Sequence, residues 1–422
     1  MATGISQTAV SAAEPAPRFA ALRNPTFRLY WLATVSSALG DISEAVVRNW
    51  LIWELTKSPF WLGIANFCHW LPFSFLCLHA GVWADRVNNR KLVRLSEFFY
   101  LTSAVIMGLL VLAGTIQLWM VLVLLILHGT GGGMSQPSRM VLVHNMVGKE
   151  ALLNAISLSS SARHSLQVIG PPLAALALVS IGVGWAYLII GALFLPLILT
   201  LTTMRFVESP RAVNGESPSA WRSLKEGFQY VRFNPVPLSL LALAATPAIL
   251  VGSSFQSMLP YFAENVFGLG VQGYSFLLAA TGVGAIVGAL GLSCMRSVTH
   301  KGAVVIGFTL AYALFVIAFA YFSWYVPVVV ASLILVAYGS SFVIHQASLN
   351  TLLLIVAPQA VRGRVMGLYS MSVFGLQIFN GPAVGALAII VGMSASLSIV
   401  GTAIICIVIA IAVKVPVLRR LD

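Results

Sequence analysis

The 422-residue chain is 59% apolar and only 9% charged, with a mean hydropathy of +0.93. A soluble domain needs far more charge to keep its surface hydrated, so these values exclude one. The net charge of +12 raises the question of nucleic acid, which the placement of the charges answers.

Apolar blocks of about 20 residues, enough to cross ~30 Å of hydrocarbon as a helix, recur along the chain. No long apolar run precedes Arg28, so no removable signal peptide is expected. The blocks predict twelve spans near 27–53, 60–84, 91–113, 117–143, 152–180, 184–206, 236–264, 272–294, 301–322, 326–355, 362–391 and 394–415. The fold class is an all-α polytopic membrane protein. Residues 1–26 form a tail, 27–206 one six-helix bundle, 207–235 a linker, and 236–422 a second bundle with a short tail.

The connections alternate. One set is basic, from Arg18, Arg23 and Arg28 at the start to Lys414, Arg419 and Arg420 at the end. The other set is short and carries only Lys57. Basic loops stay cytoplasmic, which puts both termini there and makes the positive charge a topology signal rather than a nucleic-acid surface.

The first span holds "SALGDISEAVVRNW" (37–50), with Asp41, Glu44 and Arg48 at i, i+3 and i+7 on one helix face. Asp41 lies ~21 Å along the helix from Phe27, around mid-membrane. A charge there costs at least about 2.5–3.5 kcal/mol unless it meets water or a partner. The stripe is therefore expected to face a cavity between the halves. Glu44 and Arg48 can neutralise each other, which leaves Asp41 over. Trp50, Trp53, Phe67, Trp70, Gln136, Gln346 and Tyr369 are candidates to line that cavity.

The loop "GVWADRVNNRKLVRL" (81–95) joins the second and third spans. Gly81 permits close helix contact, Asp85 can cap or pair, and Arg86, Arg90 and Lys91 can bond carboxylates or helix C-terminal carbonyls. In the fourth span, "HGTGGGMSQPSR" (128–139) combines His128 with glycines suited to close packing. The fifth span carries Arg163 and His164, then Gly170 and Pro171, where small-residue packing and a pliable kink are both open. Between the halves, "AWRSLKEGFQYVRF" sets Trp221, Leu224, Phe228 and Val231 on one face, as in a helix lying on the inner membrane surface.

An offset of 210 residues aligns the halves: Glu54 meets Glu264, Arg86 meets Arg296, Lys91 meets Lys301, and Gln136 meets Gln346. At the same offset Asp41, Glu44 and Arg48 meet Val251, Ser254 and Met258, while Arg163 and His164 meet Val373 and Phe374. The fold accommodates uncharged residues at the related places, so the charges point to coupling or substrate binding.

The 81–95 stretch resembles the loop motif of the major facilitator superfamily, G-x-x-x-D-R-x-x-R-[RK]. That resemblance implies that Gly81, Asp85, Arg86, Arg90 and Lys91 form a cytoplasmic latch between the halves. "SLKEGFQYVRFNP" (223–235), "RGRVMGLYS" (362–370) and "LGD" (39–41) resemble the bacterial branch that contains the enterobactin exporter and related secretion effectors. "VIGPPLAALAL" (168–178) resembles the Gly-Pro motif of proton-coupled exporters at Gly170 and Pro171 alone. The arginine many drug/proton antiporters carry in the fourth span is replaced by Leu125, and His128 is a candidate substitute.

The resemblance implies a secondary exporter of a hydrophobic or amphipathic small molecule in the bacterial inner membrane, with protons as the coupling ion and the lipid bilayer as its setting. A monomer is expected. A lipid flippase and a non-transporting sensor or scaffold stand as alternatives. Neither Ser/His/Asp nor metal-ligand spacing is present, so no enzyme, cofactor or metal is expected.

Overall fold

The computed structural model describes residues 20–204, 220–252, 254–294, 300–358 and 361–421. Side chains at 77–86, 220–225, Gln136 and His164 lie outside the described set, and with them most of the latch motif. The regular secondary structure of the described residues is all helical, without strands. Nine of their helical stretches are long and apolar enough to cross a membrane.

In the first half α1 runs over Pro25–Thr56, α2 over Pro59–Arg86 and α3 over Asn89–Leu112. Asn24 opens α1 by accepting the Thr26 and Phe27 amides, and Lys57 closes it in a left-handed turn bonded to Trp53. The next run, α4 (Leu118–Thr203), is broken by positive-φ glycines at Gly148 and Gly182 into three arms. All three preceding helices pack on it.

A short amphipathic helix α5 (Ala220–Arg232) follows. Glu226 on it pairs with Arg364 at 2.9 Å, and Gly227 lies against the Arg364 backbone. The second half contains α6 (Pro235–Leu250), α7 (Ser254–Ser257), α8 (Leu259–Tyr261), α9 (Gly270–Cys294), α10 (Lys301–Phe322), α11 (Val328–Val356), α12 (Arg362–Phe374), α13 (Asn380–Val391) and α14 (Met393–Lys414).

Two predicted spans, 236–264 and 362–391, are not single helices. The first breaks after Pro247, which cannot donate within the helix, at positive-φ Gly252, and ends in a π turn at Phe262–Val266. The second passes through a 3-10 stretch, Gly375–Phe379. Asn380 repairs the first break. Its side chain donates to Ala248 O at 2.9 Å and accepts from Ser254 Oγ at 2.6 Å, so the opened backbone is not left unsatisfied in an apolar interior.

The halves meet where α2 packs on α13 and α4 packs on α9. The α2–α13 approach depends on paired glycines: a Cβ on Gly63 would lie 2.2 Å from Gly381 O, and one on Gly381 would lie 2.6 Å from Gly63 O.

Candidate functional site

The site begins with a close helix contact inside the first half. A Cβ on Gly129 would sit 2.0 Å from the His69 carbonyl oxygen, so only glycine lets α2 and α4 approach this closely. The approach sets the His69 and His128 rings 5.4 Å apart, and the Tyr100 ring lies tilted 4.3 Å from His128. From α1, Asp41 Oδ1 reaches His128 Nε2 at 3.3 Å. Ser103 of α3 lies 3.2 Å from His128 Nδ1. Four helical segments thus contribute to one polar centre.

One turn along α1, Arg48 and Glu44 pair at 3.2 Å. The cavity-facing stripe expected from the sequence divides here. The Asp41 side chain keeps 33% of its exposure, whereas those of Glu44 and Arg48 keep 3% and 5%. An i, i+4 pair that neutralises itself can be buried, and this one is. The left-over status of Asp41 is also corrected: its partner is His128, contributed by a distant segment. Arg163 is exposed and adds its positive field at Asp41.

A second ion pair escapes the sequence reading. Arg139 of α4 bonds the fully buried Glu97 of α3. The signal that could have found it is the one used for Asp41, ionisable residues within apolar spans. Arg90 of the loop motif donates to the carbonyls of Leu201 and Thr202 at the end of α4, where a helix C-terminus attracts cations. Gly170 sits against Ile42 of α1, and the helix continues without a break through Pro171.

The aromatic candidates separate into two groups. Trp50 and Trp53 do not line open space. Trp50 stacks on Tyr274 at 5.8 Å, and the Tyr274 hydroxyl donates to Val46 O at 3.2 Å. Trp53 is fully buried and donates to Glu264 Oε2 at 2.6 Å, while Lys57 bonds the same carboxylate at 2.6 Å. The physical reason is that the halves close on each other at the Lys57 end, and flat aromatic faces fill the joint. Phe67 and Trp70 stay half-buried, and Trp70 meets His69 edge-on at 5.3 Å. Tyr369 donates to Gln346 at 3.4 Å, which brings two of the candidates together in the second half.

The seal continues from Trp53 through Ser275 Oγ to Ala175 O at 3.0 Å and Asn66 to Asn380 at 3.5 Å. Glu264 lies beyond the Pro235–Ser257 span. Partial burial pushes its carboxyl up, but the hydrogen bonds from Lys57 and Trp53 outweigh this and hold it below the usual carboxylate value.

The chain is similar to several bacterial transporters. The multidrug efflux pump Tap of Mycolicibacterium fortuitum is 26% identical over 421 residues, covering 93% of this chain and 96% of that protein. The enterobactin exporter EntS of Shigella flexneri is 25% identical, covering 90% and 88%. The staphyloferrin A transporter of Staphylococcus aureus matches at 21% over 60% of this chain and 63% of its own length.

Among solved structures, the nucleoside transporter NupG superposes with a TM-score of 0.67 at 13% identity, covering 94% of this chain and 100% of that one. A D-xylose-proton symporter superposes with a TM-score of 0.66 at 14% identity, covering 90% and 97%. At such identities the structures speak for the fold alone, a multi-pass bundle of membrane helices. The family model for transmembrane secretion effectors matches residues 16–422. The chain belongs to this family of bacterial inner-membrane transporters within the major facilitator superfamily and is not an enzyme.

Proposed function

We propose that this transporter exports a hydrophobic or amphipathic small molecule (a siderophore, antibiotic or other secreted metabolite) by alternating access, in exchange for protons. It works as a monomer of twelve spans with both termini cytoplasmic. The halves, 27–206 and 236–422, rock about the 207–235 linker. Asp41, His128 and Arg163 belong to the ion- and substrate-binding centre, with Phe67, Trp70, Gln346 and Tyr369 on its walls.

The observation that carries this reading is the joint between the halves at the Lys57 end. Trp50, Trp53, Lys57 and Asn66 tie the halves together at the Lys57 end, which the charge pattern assigns to the outside. The charged centre lies inward of that seal, with Asp41 and Arg163 exposed in part or whole. A cycle that breaks the seal while closing the opposite end would carry a solute from cytoplasm to exterior.

Relatives named for enterobactin, staphyloferrin A and multidrug export guide the choice of probes. Inverted vesicles with an acid interior should accumulate a catecholate siderophore, a carboxylate siderophore or a lipophilic cationic dye. A protonophore should abolish accumulation, and Asp41→Asn should reduce it at least ten-fold. Uptake of all three at the rate of empty vesicles, or uptake indifferent to the protonophore, would overturn the reading.

A further inference from the structure

Ser103 Oγ donates to Tyr100 O at 2.9 Å and lies 3.2 Å from His128 Nδ1. On the other side of the ring, His128 Nε2 lies 3.3 Å from Asp41 Oδ1. A ring nitrogen and a carboxylate oxygen so placed can share one positive ion.

A proton would satisfy that pair, but it would leave two neighbours without partners. Glu44 Oε1 and His69 Nδ1 are both buried without a hydrogen-bond partner among the described residues. Glu44, His69 and His128 each offer a donor atom within 4.8 Å of the other two. One ion with several coordination positions can answer all these lone pairs at once.

We propose that Glu44, His69 and His128, joined by Asp41, bind a single divalent transition-metal ion of the zinc type. Two imidazole nitrogens and two carboxylate oxygens form a donor set suited to zinc and its neighbours rather than to calcium or magnesium. The 3.3 Å between Asp41 Oδ1 and His128 Nε2 equals the edge of a tetrahedron with bonds of about 2.0 Å.

The supporting groups are also in place. Ser103 orients His128 from behind, as an outer hydrogen bond does for a ligating imidazole. Arg48 holds Glu44 Oε2 at 3.2 Å and leaves Oε1 for the ion. No sequence spacing announces the site, because its ligands come from three helices and the Gly129 contact assembles them. Asp41 and His128 also belong to the proposed transport centre, but the site is read out by metal binding and does not depend on which substrate the protein carries.

The test uses the full chain, purified in detergent on a tag without histidine and stripped with a chelator. Cobalt(II) should bind at one per chain, with the visible absorption of a four-coordinate ion, and zinc should displace it. Zinc should raise the midpoint of thermal unfolding, since it binds only the assembled site. His69→Ala, at a half-buried position, should fold and should weaken cobalt binding by at least about ten-fold. Asp41→Asn should weaken it as well, whereas His144→Ala, at an exposed position, should not. Absence of cobalt binding in the wild type overturns the site. So does binding in His69→Ala and His128→Gln at wild-type affinity, with thermal melts showing both variants folded.

Discussion

The two halves fill the same positions with opposite chemistry. Where the first half has Asp41, Glu44 and Arg48, the second has Val251, Ser254 and Met258, all fully buried. Where the first half has His128, the second has Tyr338, packed among Phe255, Tyr312 and Phe342. The second half shows that an apolar and aromatic filling is enough to hold such a bundle together. The ionic filling of the first half bears a desolvation cost that folding does not require, in keeping with the proposal that ions and substrate are handled there. Backbone order runs the other way. Helix α1 is an unbroken 32-residue rod beneath the charged centre, whereas its counterpart breaks at Gly252 and depends on Asn380 for repair.

The most damaging way to break this contrast is to remove one member of the buried pair. Arg48→Met strands the Glu44 carboxylate in an interior without water and should cost about 3–5 kcal/mol. Adding Glu44→Ser copies the Ser254 and Met258 of the second half and should restore most of that loss. Thermal unfolding in detergent measures both. A single variant as stable as the wild type would mean that the pair is not dry, and the argument from desolvation would fail.

Asn380 tests the opposite side of the comparison. Asn380→Ala leaves Ala248 O and Ser254 without their partner and should cost about 1–3 kcal/mol. Its effect should be concentrated in the second half, as faster hydrogen exchange along 235–261. The matched change in the rod, Ser43→Ala, should leave exchange along α1 unaltered. Equal protection of 235–261 in Asn380→Ala and wild type would show that the break needs no repair.

Much of this was legible in the sequence because lipid imposes a simple rule. Apolar blocks give spans, so the limits 301–322 coincide with Lys301–Phe322, and most others fall within a few residues. The intramembrane charges on α1 were legible for the same reason. Three things were not. The breaks at Gly252 and Gly375–Phe379 lie in segments as apolar as any helix, and the first is repaired by a side chain from elsewhere in the chain, Asn380. The pairing of Asp41 with His128 depends on residues 87 positions apart. The burial of Trp50 and Trp53 was misread because an aromatic residue facing a cavity and one filling a joint carry the same sequence signal.

The Gly63 contact concerns how the two halves meet. Gly63→Ala would press a methyl into Gly381 O and should destabilise the closed joint by about 1–3 kcal/mol. Paired cysteines at Lys57→Cys and Glu264→Cys should then cross-link less completely than in the parent. Undiminished cross-linking would show that the glycine pair does not set the approach.

The smallest effect belongs to the ion pair at the rim of that joint. Lys57 and Glu264 are partly exposed, so solvent screening limits their bond to at most about 1 kcal/mol. Burial raises the Glu264 carboxyl, yet the bonds from Lys57 and Trp53 leave it lowered overall. A lowered carboxylate stabilises the closed joint at and above its ordinary range, and that contribution is lost as the pH falls through the lowered value. Labelling of a cysteine placed at Tyr274 should therefore rise modestly as the pH falls below the ordinary carboxylate range. Lys57→Ala should raise labelling at neutral pH and shrink the acid step, because Trp53 alone then holds the carboxylate. An acid step of equal size in Lys57→Ala would assign the pH response to another group and leave the rim pair without a part in closing the joint.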